Sequence, residues 1–239
     1  MHGWSGDQST FAPLAQHLPA DATLVAIDLP GCGLSPQPPA WDLESVGRMI
    51  ARTARRLGVE EATVIGNCSG ALMALVATTV GRLSPQRLVL IDPFAYFPWY
   101  FRVFTLGEFG RRAYYSTFAS SIGRRITDRS LSARRSPETS LTSSFEHIDH
   151  GTSLEYLRLL TTIESPSMFS GLGMPIDIVV GARTFGAIKR SVPIWKHVWP
   201  QAVAHTLEGV GHLPIEEAPA EIGRILFERS AHRAPVTVD

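Results

Sequence analysis

A glycine-flanked turn between a strand and a helix constrains this sequence more than any other feature. Residues 62–65 are apolar and β-prone, and residues 69–80 have a helical pattern. Between them, residues 66–70 read Gly-Asn-Cys-Ser-Gly. This is the pattern of a nucleophile elbow, a sharp turn that exposes one reactive side chain and needs small residues two positions away on each side. We therefore predict that Cys68, at the tip, is a nucleophile.

Two other interpretations of this turn stay open. In the first, Cys68 is only a buried cysteine beside a glycine turn. In the second, the register of the elbow shifts by one residue and Ser69 is the nucleophile. The shifted register puts Asn67 where glycine fits best. The helix that starts at Ser69 points its amino end at the Cys68 thiol, which favours the thiolate, so we expect cysteine chemistry.

Short apolar strands alternate with helical patterns along most of the chain. This alternation is typical of a mostly parallel sheet flanked by helices, an α/β fold. The predicted strands lie at residues 23–28, 62–65, 87–91, 176–180 and 202–207, and the predicted helices at residues 42–57, 69–80 and 219–227.

The alternation stops between Phe94 and about Met174, where the pattern is helical and no strand is evident. We predict that residues 94–174 form a helical insertion over the sheet. Residues 1–93 and 175–239 then form the core.

A second chemical signal follows the last predicted strand. Residues 209–213 read Gly-Val-Gly-His-Leu, ahead of a helix that Pro219 opens. A loop at this place can bring His212 to the elbow, where neutral imidazole takes the thiol proton and later activates water. The other seven histidines do not share such a setting.

A third signal lies at the start of the chain. Residues 2–4 read His-Gly-Trp and precede a helical pattern from about Ser9. Such a turn offers a backbone N–H to a developing oxyanion, alongside the N–H of the residue after the nucleophile.

Taken together, these motifs resemble the α/β-hydrolase superfamily. The resemblance rests on residues 2–4, on residues 28–35 (Asp-Leu-Pro-Gly-Cys-Gly-Leu-Ser), on the elbow at 66–70, and on residues 211–212 with Glu217. It covers nearly everything except the insertion. The order of these motifs is specific for the fold and much less so for the substrate.

The resemblance implies roles for individual residues. Cys68 is the nucleophile, His212 is the base, and the N–H groups of Trp4 and Ser69 form the oxyanion hole. The insertion, residues 94–174, corresponds to the family's lid, which usually shapes the substrate pocket.

In having cysteine in place of the more usual serine, the chain resembles dienelactone hydrolases, polyhydroxyalkanoate synthases and some acyl-transferring or cyclising thioesterases. A thiolate exchanges well with thioesters, and the acyl enzyme can pass its acyl group to water, an amine or a hydroxyl. The resemblance therefore implies a hydrolase or acyl-transfer enzyme (esterase, thioesterase, acyltransferase or cyclase) acting on an ester or thioester through acyl-Cys68.

The acid of the triad departs from the usual family pattern. Most members carry an aspartate after the penultimate strand, where this chain has Thr184. Some members place it at the end of the strand after the nucleophile helix, which here ends at Asp92. We predict a Cys68–His212–Asp92 triad, with Glu108 and Asp149 as weaker substitutes. The alternatives are that Asp92 is only a strand-ending turn, and that the chain is a non-catalytic ligand-binding homologue.

The insertion also contains candidate substrate-binding residues. Residues 94–118 hold eleven of the 21 aromatic residues, and residues 102–135 hold eight arginines. The arginines are either a solvated face or a docking site for an acidic carrier protein or a coenzyme A phosphate. The predicted pocket lining for an acyl chain or ring is Phe94, Tyr96, Phe97 and Trp99.

Composition excludes several other classes. Lys plus Arg equals Asp plus Glu at 22 each, which gives no reason to expect nucleic acid or a membrane surface as a partner. No apolar run reaches the ~18 residues of a membrane span. Two cysteines, Cys32 and Cys68, are too few for a disulfide framework or a cysteine-built zinc site, and we expect no cofactor and a cytoplasmic location.

The family's His-Gly turn normally follows a central strand, and two further strands precede that one. Here Met1 stands immediately before His2. A missing central strand would leave unpaired backbone groups, so we expect the natural protein to have an apolar strand upstream of His2. The alternative is a short form in which residues 23–28 pair directly with the elbow strand.

Overall fold

A computed structural model describes residues 1–227 of the chain, so residues 228–239 of the predicted core lie outside the described residues. Its sheet has four strands in the order β1-β2-β3-β4, and each neighbouring pair is parallel. This confirms the predicted α/β fold with a parallel sheet. The strands are β1 (Thr63–Asn67), β2 (Arg87–Ile91), β3 (Ile176–Gly181) and β4 (Val203–Leu207).

Nine α-helices are present in residues 1–227, together with several 3₁₀ segments and one π-helical segment, Tyr115–Ala119. No helix in this range is long and apolar enough to cross a membrane. The helices are α1 (Leu43–Arg56), α2 (Ser69–Thr79), α3 (Trp99–Arg102), α4 (Gly107–Tyr114), α5 (Ser121–Ser130), α6 (His150–Thr161), α7 (Gly186–Val198), α8 (Pro214–Glu217) and α9 (Pro219–Phe227).

Helix α2, which follows the elbow, is the most buried helix. Ten of its eleven residues are buried. A helix that is apolar all round has to be covered on every side. Helix α1 covers it from one side, starting at Asp42, whose carboxylate accepts the N–H of Ser45. The amino end of α2 is thereby fixed relative to the sheet.

Strand β2 shows how the sheet separates two hydrophobic layers. Its five residues are all buried. Leu88 and Leu90 pack into the cluster that contains α2, whereas Val89 and Ile91 pack into a second cluster with Phe11. This alternation follows from the two-residue period of a strand covered on both faces.

The predicted strand at residues 23–28 does not join the described sheet. Leu24 and Ala26 pack on one hydrophobic cluster and Ile27 on the other, so the strand-like alternation is present. This segment forms no ladder with the four described strands, and Met1 bonds to the edge of β1. Its amino group donates to the Ile65 carbonyl at 2.7 Å.

The chain between β2 and β3 folds only into helices and turns. We call residues 94–174 the helical segment. Its own hydrophobic cluster contains Tyr114, Phe118 and Phe145. The ring of Trp4 packs into this cluster, and its indole N–H donates to the Ser153 carbonyl at 2.8 Å. The turn at the start of the chain thus joins the helical segment to the sheet.

Candidate active site

The elbow between β1 and α2 has the geometry that its sequence predicts. Cys68 has φ 54° and ψ −116°, a backbone conformation that residues other than glycine rarely adopt. A Cβ on Gly66 would overlap the backbone of Ala71, and one on Gly70 would overlap the carbonyl of His2. The residues two positions before and after the tip therefore have to be glycine.

The structure puts Cys68 at the tip of this turn. Ser69 is the first residue of α2 and is 3% exposed, whereas Cys68 is half-buried and lines a cavity. The shifted register would need the tip conformation at Ser69. The positive φ stands at Cys68 instead.

Asp92 directly follows β2 and is fully buried. It too has a positive φ, 49°, and its N–H donates to the Val179 carbonyl at 2.8 Å. Its carboxylate accepts the Gly181 N–H at 3.3 Å and the Thr184 hydroxyl at 2.5 Å. A buried carboxylate needs such donors, and backbone strain of this kind is typical of functional sites.

His212 reaches Asp92 from the loop after β4. Its Nδ1 lies 2.6 Å from Asp92 Oδ2, which leaves the other ring nitrogen for Cys68. Two further contacts hold the loop and the imidazole in place. The Glu217 carboxylate accepts the Gly211 N–H at 2.7 Å, and the ring of Phe185 stands edge-on to the imidazole at 4.7 Å.

The electrostatics of the three side chains favour a charged imidazole. Burial alone lowers the pKa of His212, but the negative charge of Cys68 and the hydrogen bond to Asp92 raise it, to about 10 in total. The proton therefore resides on the ring at neutral pH. The arrangement is a protonated imidazole between the Cys68 sulfur and the Asp92 carboxylate.

Thr184 stands where most family members carry the acid, and it contacts both partners of the relay. Its hydroxyl donates to Asp92 Oδ2 and lies 3.2 Å from His212 Nδ1. Sequence reasoning treated Thr184 only as a missing acid. The hydroxyl-bearing residue at the usual acid position could have indicated a hydrogen-bond donor to the Asp92 carboxylate.

The turn at residues 2–6 approaches the elbow from the other side. The buried ring of His2 donates through Nδ1 to the Gly3 carbonyl at 2.8 Å and accepts the Leu29 N–H at Nε2 at 3.0 Å. Burial lowers the pKa of His2 to about 4, so the ring is a neutral brace. Within residues 1–227, the N–H groups of Trp4 and Ser69 have no hydrogen-bond partner, as oxyanion donors require.

A cavity of about 640 Å³ opens in front of Cys68. The sheet side contributes Cys68, His212 and Phe185 to its wall. The opposite wall comes from the helical segment and combines aromatic residues with serine and threonine residues. That wall includes Tyr100, Phe101, Phe104, Phe118 and Phe145.

The four predicted substrate-binding aromatics do not line this cavity. Phe94, Tyr96 and Phe97 surround a separate small crevice beside Trp195, and Trp99 is 77% exposed. Phe94 approaches only the far side of the site, with its ring 6.5 Å from that of His212. The aromatic residues that line the cavity are Trp4, Phe185 and those of the helical segment from Tyr100 onwards.

The weaker acid candidates lie elsewhere. Glu108 forms surface ion pairs with Arg111 and Arg112, and Asp149 caps α6 by accepting the Thr152 N–H. Neither contacts His212. The second cysteine, Cys32, does not line the cavity. Burial and nearby acids raise the pKa of its thiol to about 12.

A family model described as the alpha/beta hydrolase family matches residues 1–225 of this chain. The match covers the turn at residue 2, the elbow, Asp92 and the His212 loop in one alignment. It therefore spans every residue of the candidate site.

Two curated proteins are similar over part of the chain. A "Serine hydrolase-like protein" of Danio rerio is 30% identical over 101 residues, which are 41% of this chain and 31% of that protein. "Esterase YbfF" of Escherichia coli is 31% identical over 94 residues, 38% of this chain and 36% of that protein. The match thus spans about a third of the length of these relatives.

Among solved structures, the alpha/beta hydrolase MGS-M2 from a deep-sea metagenome library superposes with a TM-score of 0.77. Its sequence is 11% identical, and the superposition covers 100% of this chain and 90% of that one. At that identity the likeness establishes the fold alone.

Proposed function

The chain belongs to the alpha/beta hydrolase family, and we propose that it hydrolyses a carboxylic ester or thioester through an acyl group carried on Cys68. The observation that supports this most strongly is the contact of His212 with Asp92 at 2.6 Å, with Cys68 on the other side of the ring. A thiol at an elbow, an imidazole beside it and a buried carboxylate behind that imidazole are the parts that acyl transfer needs.

Acylation begins with the Cys68 thiolate. Its sulfur attacks the substrate carbonyl carbon, and the carbonyl oxygen becomes an oxyanion. The N–H groups of Trp4 and Ser69 stabilise this oxyanion. When the intermediate collapses, the His212 imidazolium gives its proton to the departing alcohol or thiol. The products of this half-reaction are acyl-Cys68 and a neutral imidazole.

Deacylation reverses the proton path. Neutral His212 takes a proton from water, and the resulting hydroxide attacks the acyl-Cys68 carbonyl. Collapse releases a carboxylic acid and restores the thiolate and the imidazolium. Throughout, the Asp92 carboxylate keeps the ring oriented and balances its charge, and it is not itself protonated.

One curated relative is named a serine hydrolase-like protein and the other an esterase, whereas this chain carries cysteine at the tip. We propose that the difference extends the substrate range towards thioesters. An acyl-cysteine is itself a thioester, so an amine or hydroxyl can compete with water for the acyl group. The helical segment, as a lid over the cavity, would decide which acceptor enters.

The test is turnover of a panel of p-nitrophenyl esters and matched thioesters by the full chain and by Cys68→Ala and Cys68→Ser. We expect no turnover for Cys68→Ala. The serine variant should keep some ester hydrolysis and lose its preference for thioesters, because a complete relay can activate a hydroxyl. Adding hydroxylamine or an alcohol to the assay measures how much acyl group leaves to an acceptor other than water.

Iodoacetamide labelling with peptide mapping separates this proposal from its rival. A reactive thiolate is alkylated rapidly at Cys68 and slowly at Cys32, whose raised pKa keeps it a thiol. Equal, slow labelling of both cysteines together with no turnover of any ester or thioester would contradict the proposal. That result would favour a non-catalytic ligand-binding role.

A further inference from the structure

The charged residues on the wall of the cavity are few. Apart from His212, the described lining contains Arg134, Arg190 and Glu216. Two guanidinium groups against one carboxylate leave an excess of one positive charge. The rest of the wall is mainly aromatic and hydroxyl-bearing, so little inside the cavity neutralises that charge.

Arg134 is fixed directly against the catalytic loop. It ends the 3₁₀ turn Ser132–Arg134, and its carbonyl accepts the His212 N–H at 2.6 Å. The same carbonyl lies so close to Gly211 that any side chain there would overlap it. One guanidinium nitrogen donates to the Thr184 carbonyl at 3.3 Å. The backbone of Arg134 therefore packs against the His212 loop, and its guanidinium lies beside Thr184, whose hydroxyl contacts His212.

Arg190 enters the cavity wall from α7. Its Nε donates to the Tyr96 hydroxyl at 3.2 Å. Both arginines act on Tyr100, which also lines the cavity. Burial raises the pKa of Tyr100 and Cys68 adds to this effect, while Arg190 and Arg134 oppose it. The two guanidinium groups and the nucleophile therefore lie within electrostatic reach of one phenol group.

Neither arginine forms an ion pair with any residue between 1 and 227. The neighbouring Arg135 provides the contrast. Its guanidinium lies 2.7 Å from the Asp128 carboxylate and also donates to main-chain carbonyls. The fold supplies a carboxylate to Arg135, which faces away from the cavity lining. It supplies none to Arg134 or Arg190, which are part of that lining.

We propose that Arg134 and Arg190 form an anion subsite that binds a carboxylate or phosphate group of the substrate. The inference rests on the function proposed above and narrows its substrate class to esters or thioesters that carry a negative charge. Guanidinium groups bind carboxylate and phosphate through paired, charge-assisted hydrogen bonds. Arg134 is half-buried and Arg190 is exposed, so both can reach a charged group that enters from solvent. The anion orients the scissile carbonyl towards Cys68.

The first experiment compares p-nitrophenyl hydrogen glutarate with its methyl ester, which differs by the charge on the acyl group. A parallel pair compares an acyl-coenzyme A thioester with the N-acetylcysteamine thioester of the same acid, which tests a phosphate on the leaving group. We expect kcat/KM to favour the charged member at least about tenfold in one of the two pairs.

The preference should fall by roughly tenfold in Arg134→Met and in Arg190→Met. Because it is a ratio of two substrates, it is independent of how much of a variant is folded. Arg52→Met, on the surface helix α1, removes the same charge away from the cavity and should keep the wild-type preference. A preference in the first pair assigns the anion to the acyl group, and one in the second pair assigns it to the leaving group.

Calorimetry on the Cys68→Ala protein measures binding without turnover. In at least one of the two pairs the charged member should bind more tightly than its neutral partner, and Arg134→Met in the same background should remove the difference. Equal binding within both pairs, or charged-to-neutral kinetic ratios near one in both pairs, would overturn the anion subsite while leaving ester hydrolysis intact. Tighter binding of the charged ester with no turnover of any substrate would support the subsite and count against the proposed function.

Discussion

The two walls of the cavity are built differently. The sheet wall is backed by β2 and β3, in which every residue is buried, and it holds Cys68, His212 and Asp92 in turns and loops at the ends of strands. The wall from the helical segment is made of short helices. Helix α5 has no buried residue, and it exposes Ile122 and Ile126 to 70% and 65%.

The difference indicates that the sheet wall positions the reacting groups and the helical wall binds the substrate. Reacting atoms need positions fixed to a fraction of an ångström, which strands and strained turns provide. A binding wall only has to present apolar and charged surface of a suitable shape, and loosely supported helices can do so. Substitutions on the sheet side should therefore reduce kcat, and substitutions on the helical side should change KM and substrate choice.

The largest effect is expected from Cys68→Ala. It removes the nucleophile, and no neighbouring side chain can replace a thiolate at the tip of the elbow. We expect kcat to fall at least about 10³-fold. The matched control is Cys32→Ala, which removes a thiol outside the site and should leave kcat unchanged. Substantial turnover by Cys68→Ala would mean that Ser69 or another group carries the acyl transfer.

Asp92→Asn comes next. The amide cannot balance the imidazolium charge or fix the ring's tautomer, so kcat should fall by roughly 10²- to 10⁴-fold with the fold intact. Glu108→Gln and Asp149→Asn change acids that do not contact His212 and should be close to wild type. Near-normal kcat for Asp92→Asn would remove it from the triad.

The same variant has a second signature in the pH profile. In the wild type the pKa of His212 is raised to about 10, so the imidazolium that protonates the leaving group persists to alkaline pH. Removing the Asp92 carboxylate takes away part of that increase, so the alkaline limit of kcat/KM should move to lower pH. An unchanged alkaline limit, measured with a leaving group that needs protonation, would show that Asp92 does not interact with the ring.

Thr184→Val should have a smaller effect. It removes the hydroxyl donor to the Asp92 carboxylate while keeping the side-chain shape. A hydrogen bond to a charged group contributes about 1.5–3 kcal/mol, which corresponds to roughly a 10- to 100-fold loss in kcat. Thr184→Ser keeps the donor and should restore most of the rate. Equal losses in the two variants would point to packing instead of hydrogen bonding.

The smallest effect is expected on the helical wall. Phe145 lines the cavity and stacks on Phe118 with ring centroids 4.6 Å apart. Phe145→Leu loses the aromatic contact, so KM should rise about 2- to 10-fold while kcat stays within about twofold. Phe109→Leu, at a residue that is 70% exposed, is the matched control and should change neither value. A large loss of kcat in Phe145→Leu would erase the distinction between the two walls.

The sheet side was also the more predictable from sequence. The bounds of β1 to β4 agree with their predicted ranges to within two residues, because buried parallel strands are short apolar runs ended by turn residues. The elbow was readable because Gly66 and Gly70 are needed to avoid backbone overlap. By contrast, residues 23–28 have the pattern of a strand but no ladder, since pairing depends on a neighbour that local sequence does not specify.

The helical wall was predicted only in outline. Its aromatic content indicated a lining, but Phe94 and Phe97 pack towards Trp195 and Trp99 faces solvent. Which aromatic residues face the cavity depends on where short helices begin and turn, and a four-residue helix such as α3 has too little periodicity to reveal its inner face. The contact of Arg134 with the His212 loop joins residues far apart in the chain, so no local pattern could indicate it.

The most direct test of the Cys68–His212–Asp92 account is to trap the acyl enzyme. The full chain is mixed with p-nitrophenyl acetate, quenched in acid within milliseconds to seconds, and analysed by intact mass and by fragmentation of the peptide that contains the elbow. The account predicts one acetyl group on Cys68, removable by neutral hydroxylamine as a thioester is, and its accumulation in Asp92→Asn if deacylation slows more than acylation. An acetyl group on Ser69, or turnover without any acyl enzyme, would contradict it.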